Sequence, residues 1–105
     1  MLIVKYNPEY IAVNDVENAI QYTEASFSEL SKVWADMGLE PLVHKQEVDP
    51  MIDIIQRYKD NRIYDAKTIS AGEWFVFDPT DYDDWYIVSD EDFTKKYTKI
   101  QEVNV

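Results

Sequence analysis

The chain contains no cysteine. That excludes a disulfide framework, a thiolate zinc site and a cysteine nucleophile, and it suits a reducing compartment. Histidine occurs once, as His44 beside Lys45. A lone histidine next to a lysine reads as a loop residue and supports neither a catalytic triad nor a zinc centre. Glycine occurs only at Gly38 and Gly72, so no glycine-rich loop exists to cradle phosphate. With four prolines as well, there is little room for long flexible linkers. No apolar run approaches the length that spans a bilayer. The opening residues 1–10 lack a positive lead followed by a long apolar core, so they do not read as a signal peptide. Positive charge is also scarce: 10 basic residues face 21 acidic ones, for a net charge of -11.

That imbalance repels the phosphates of nucleic acid and the anionic surface of a membrane. It favours a partner with a basic surface and fast, salt-sensitive association. The plainer reading is that acidity only keeps the protein in solution. The chain has 105 residues, 46% of them hydrophobic and 14% aromatic, enough to fill one core. A single domain over residues 1–105 is expected.

Element signals alternate between strand and helix. Leu2 to Tyr6 is apolar and β-prone, and Val16 to Thr23 alternates loosely. The clearest helix runs from Phe27 to Met37. Ser26 and Glu29 have capping-box spacing, Phe27, Leu30, Trp34 and Met37 share one face, and Gly38 is placed to close it. Residues 39–49 read as an irregular or strand-like connection. The next stretch is ambiguous. Asp49 followed by Pro50 is a helix start signal, and Met51, Ile52, Ile55 and Tyr58 then share a face. Ile52, Ile54 and Gln56 equally fit a strand, with Lys59 to Asn61 as a turn. The helix is the reading favoured here.

Arg62 to Ile69 and Glu73 to Phe77 read as strands around a turn at residues 70–72. Asp78 to Asp84 reads as a hairpin loop leading to a short strand, Trp85 to Val88. Ser89 then caps a last helix, with Asp90, Glu91 and Asp92 at its positive end and Lys95 and Lys96 at its negative end. Phe93 and Tyr97 fall at i, i+4 and should pack on the sheet. These elements predict an α+β fold: a small antiparallel sheet with a C-terminal β-hairpin and two or three helices.

Seven carboxylates fall between Asp78 and Asp92 without a basic residue among them. They do not make a calcium loop. Counted from Asp81, position 5 is Trp85, position 6 is Tyr86 and position 12 is Asp92, where an EF-hand needs an acid, a glycine and a glutamate. No cofactor and no metal site are expected. The helix dipole accounts for Asp90, Glu91 and Asp92. Asp81, Asp83 and Asp84 around Tyr82 have no such reason.

The final third of the chain resembles a C-terminal motif of small phage and prophage proteins. That motif runs Pro-Gly-Asp followed by Trp or Tyr, two strands about a variable turn, then Asp-Glu-x-Phe and a Tyr. Here Ala71-Gly72-Glu73-Trp74 stands at the opening, and Asp90-Glu91-Asp92-Phe93 with Tyr97 stands at the close. The N-terminal Val16 to Leu30 also looks like the opening of such proteins. The resemblance implies an α+β phage-encoded domain and no catalytic residue. In physical terms Gly72 supplies a turn, and Trp74, Trp85, Phe93 and Tyr97 are expected to cluster under the last helix.

The expected function is that of a non-enzymatic protein in the cytoplasm of an infected or lysogenic bacterium. It would bind and inhibit a host nucleic-acid-handling or defence protein, of anti-CRISPR or anti-restriction type, with DNA mimicry as one mode. Its contact residues would be Asp81, Tyr82, Asp83, Asp84, Tyr86, Asp90, Glu91 and Asp92, with the protein a monomer or homodimer. One alternative is a phage accessory or structural module that self-assembles. Another is a small-molecule or nucleotide binder with an aromatic pocket around Trp34, Trp74 and Trp85.

Overall fold

A computed structural model describes residues 1–6, 16–44 and 51–102. The chain order is β1 (Leu2–Tyr6), β2 (Val16–Gln21), α1 (Phe27–Asp36), β3 (Glu40–His44), β4 (Met51–Arg57), β5 (Ile63–Ser70), β6 (Trp74–Asp78), β7 (Asp81–Val88), α2 (Asp90–Lys96) and β8 (Tyr97–Glu102). The strands form a five-stranded sheet, β7-β6-β2-β1-β8, and a three-stranded sheet, β3-β4-β5. Every pairing is antiparallel. The expected α+β fold is therefore corrected. Among the described residues the fold is mostly β, with two sheets and two short helices.

The largest correction falls on Met51–Arg57, which is strand and not helix. Ile52, Ile54 and Ile55 are β-branched and stiff at χ1, which suits a pleated surface. Ile52 and Ile54 are fully buried against the main core, with Ile52 opposite Val43 on β3 and Ile69 on β5. That two-sided pairing outweighs a local start signal. The Asp49-Pro50 signal itself lies outside the described residues. The β4–β5 turn does use Asn61, whose φ of 70° is a left-handed value that asparagine tolerates.

Helix α1 forms where expected, and Gly38 follows it with a φ of 73°. Its start differs from the expected capping box. The Ser26 hydroxyl donates to the Gln21 carbonyl at 2.6 Å and accepts from the Thr23 N–H at 2.9 Å. It closes the turn before the helix rather than capping it. Leu30, Trp34 and Met37 are buried, while Phe27 is left exposed at the first turn. At α2 the Ser89 hydroxyl does accept from the Asp92 N–H, at 3.2 Å.

The five-stranded sheet is covered on both faces, because side chains alternate along each strand. On one face Ile20, Phe75, Phe77 and Trp85 meet Leu30, Trp34 and Met37 of α1 and Ile52, Ile54 and Ile69 of the smaller sheet. On the other face Val4, Ala19 and Val76 lie with Phe93 and Tyr97, and Trp74, Tyr86 and Val88 pack against them. Trp74 stacks on Phe93 with ring centroids 3.9 Å apart, and Phe93 on Tyr97 at 5.1 Å. The expected aromatic cluster thus forms without Trp85. Trp85 pairs with Phe77 and shares its face, which is the opposite one.

Trp34 is fully buried at the centre of the larger cluster, edge-on to Phe75 at 6.0 Å. Trp34→Ala should lower unfolding free energy by about 3–5 kcal/mol, read from urea denaturation. A loss below about 1 kcal/mol would show that this cluster is not the core.

Candidate functional site

Asp78 to Asp84 is not a loop. The turn is only Pro79 and Thr80, since Asp78 pairs with Asp81, and β7 runs from Asp81 to Val88. The turn is closed locally. Asp78 Oδ1 accepts from the Thr80 backbone N–H at 2.8 Å and from the Thr80 hydroxyl at 2.7 Å. Those two bonds, the backbone one first, hold the Asp78 carboxyl below the usual carboxylate range.

Pairing then slips. Phe77 pairs with Trp85 and Asp78 with Asp81, so Tyr82, Asp83 and Asp84 fall between two anchored pairs with no partner on β6. They form a bulge on the edge strand, the device by which sheets re-aim side chains. The second sheet pins this bulge. The Gln56 side-chain amide donates to Asp83 Oδ1 at 2.7 Å, and its carbonyl accepts from the Trp85 indole N–H at 3.1 Å. Lys67 Nζ donates to the Trp85 backbone carbonyl at 2.9 Å and lies 4.4 Å from the centre of the Trp85 ring. A lysine thus covers part of the β7 edge, as edge strands require.

Concavities flank the bulge on both sides. One, of about 250 Å³, is lined by Val33, Asp36, Met37, Phe77, Pro79 and Tyr82, among others. The other, shallower, is lined by Gln56, Arg57, Tyr58, Lys59, Tyr64 and Asp83. Tyr58, Tyr64 and Tyr82 are each about half exposed, at 48%, 51% and 57%. The sequence did not single out Tyr58 and Tyr64, because only tertiary packing of the β4–β5 hairpin brings them to Asp83. Tyr58 and Tyr64 contact each other edge-on at 5.0 Å.

The proposed contact residues do not form one group. Asp81, in the turn pair, and Tyr82, Asp83 and Asp84, on the bulge, stand together. Asp90, Glu91 and Asp92 lie past the far end of β7, an eight-residue strand of about 23 Å at about 3.3 Å per residue. Two of those three also have structural roles. Asp90 accepts from the Trp74 indole at 2.9 Å, and Glu91 pairs with Lys95 at 3.0 Å. Tyr86 packs beneath α2 on the other face of the sheet. The three tryptophans do not converge either: Trp34 and Trp85 are buried in one cluster, and Trp74 packs against the other.

Among the described residues no group of three or more His, Cys, Asp or Glu could hold a metal ion. None of their helices is long and apolar enough to cross a membrane. No protein-family model matches the chain, and no curated protein or solved structure is significantly similar to it.

Gln56→Leu would leave the buried Trp85 N–H without its acceptor and Asp83 without its donor. It should cost about 1–3 kcal/mol, with amide shifts spreading from Trp85 to Asp83. No loss of stability would mean that Gln56 does not pin the bulge. For the turn, an NMR titration should find the Asp78 carboxyl below the ordinary aspartate value, with Thr80→Ala raising it. The lowered value means that Asp78 adds stability above the ordinary range and loses it as pH falls through the folded value. An Asp78 carboxyl that titrates normally would contradict the turn geometry.

Proposed function

We propose that this chain is a small acidic, non-enzymatic binding protein of phage or prophage type. It acts in the cytoplasm of an infected or lysogenic bacterium and occupies the basic surface of a host nucleic-acid-handling or defence protein. One observation carries the reading. The exposed tyrosines among the described residues, Tyr58, Tyr64 and Tyr82, all lie on or beside the bulge that carries Asp83 and Asp84, next to Asp81 at the turn. Carboxylates alone would serve solubility. Exposed tyrosines do not, and tyrosine is enriched where proteins bind one another. Carboxylates on the rim would speed encounter with a basic patch, and the rings would supply the desolvated contacts.

The placement narrows the mechanism. With Asp90, Glu91 and Asp92 at the far end of β7, the acids do not line up as one long row. Local occlusion of a basic patch fits better than imitation of an extended duplex. Self-assembly has one observation in its favour. Among the described residues strand β8 ends the larger sheet as an edge and leaves Ile100 half exposed.

The test is capture of partners from host lysate, at low salt and at about 1 M salt, where the screening length falls to about 3 Å. The proposal expects a partner that binds nucleic acid, held at low salt and released at high salt. It also expects the triple variant Asp81→Asn, Asp83→Asn, Asp84→Asn to lose that partner. Capture by the triple variant equal to wild type would refute the acidic-surface reading. A defined oligomer with no other partner would favour self-assembly.

A further inference from the structure

Of the two concavities beside the bulge, one is suited to a cation. The pocket between α1 and the β6–β7 turn has apolar walls from Val33, Met37, Phe77 and Pro79, with Tyr82 also lining it. Asp36 is the acidic group among its lining residues, which also include Asn18 and Met1; the Met1 amino group is paired with Glu29 at 3.4 Å. The Asp36 side chain has no ion-pair partner among the described residues. The opposite concavity sets two basic residues, Arg57 and Lys59, against one acid, Asp83, which disfavours a cation there. At about 250 Å³ the pocket also falls below the roughly 300–1,000 Å³ of small-molecule sites. It is sized for one long side chain.

We propose that this pocket receives a single arginine side chain from the basic partner. The inference rests on the binding role assigned to the bulge and names the contact that confers selectivity there. An arginine stem of three methylenes would lie along Val33, Met37 and Phe77, apolar surface that a long charged side chain can cover while its head stays polar. The guanidinium would stack on Tyr82 and pair with Asp36. Lysine offers a point charge and no plane, so it matches the tyrosine–carboxylate pair less well. Charge complementarity comes from the setting: Asp78 and Asp81 bracket the turn that carries Pro79, and the chain's net charge is -11.

The probe is a short blocked peptide alternating glycine and arginine, with its lysine counterpart as control. Each is titrated into the full chain and followed by amide shifts. The inference expects the arginine peptide to bind more tightly, with shifts at Val33, Asp36, Met37, Phe77 and Tyr82. Asp36→Asn should weaken it about tenfold. Tyr82→Ala should weaken it as well and remove the preference over lysine. Both side chains are exposed, so both variants should fold. Three results would overturn the pocket assignment: no binding of the arginine peptide, equal binding of both peptides, or unchanged affinity in Asp36→Asn. If the peptide still binds in a salt-sensitive way through Asp81, Asp83 and Asp84, with Asp36→Asn unaffected, only the pocket fails. The binding role of the bulge then stands, and its own test is the lysate capture by the triple variant.

Discussion

The indole of Trp85 is buried between two sheets that share no strand, and groups from the smaller sheet hold it there. Gln56 accepts its N–H, Lys67 lies against its ring, and the same lysine takes its backbone carbonyl. Phe75 and Phe77 border it from β6 and share its core cluster. Leaving this donor without its partner would cost about 1–3 kcal/mol. Satisfying Trp85 has a structural by-product. The same Gln56 amide that serves the indole also reaches Asp83. One side chain therefore sets both the junction of the sheets and the attitude of the acidic bulge.

The bulge puts unlike demands on neighbouring residues. Trp85 must be buried, while Asp83 and Asp84, immediately before it, must stay in water. Regular pairing with β6 would instead extend the strand evenly through all of them. The slipped register resolves this, with Phe77–Trp85 as the last core pair and Asp78–Asp81 as the turn pair. The three residues between are free of the ladder. Tyr82 then serves the α1 side and Asp83 the β4–β5 side, so adjacent residues address different concavities.

Local signals were legible where chemistry and geometry lie within a few residues. Helix α1 follows from the spacing of Leu30, Trp34 and Met37, and the start of α2 from Ser89 ahead of three acids. Signals that depend on distant pairing were not. Met51–Arg57 carries both periodicities, and only its two strand neighbours decide between them. The acids of Asp81 to Asp84 read as a loop because aspartate is depleted in strands. An edge strand with a bulge tolerates them. Trp85 was expected under α2 because the residues near it in sequence are there, yet alternation sends it to the opposite face. The acidic cluster at the bulge was anticipated from sequence, but its tyrosine neighbours Tyr58 and Tyr64 arrive on a different hairpin.

On this reading the fold holds the carboxylates of Asp81, Asp83 and Asp84 without needing their charge. In the triple variant Asp81→Asn, Asp83→Asn, Asp84→Asn, each amide oxygen can still accept the hydrogen bonds that Asp81 and Asp83 receive. Only the negative charge is lost. The most direct measurement is the urea midpoint of this variant against wild type at low salt. An equal or higher midpoint is expected, since self-repulsion is relieved and the contacts remain. A clearly lower midpoint would contradict it, because the charges would then serve the fold rather than a partner.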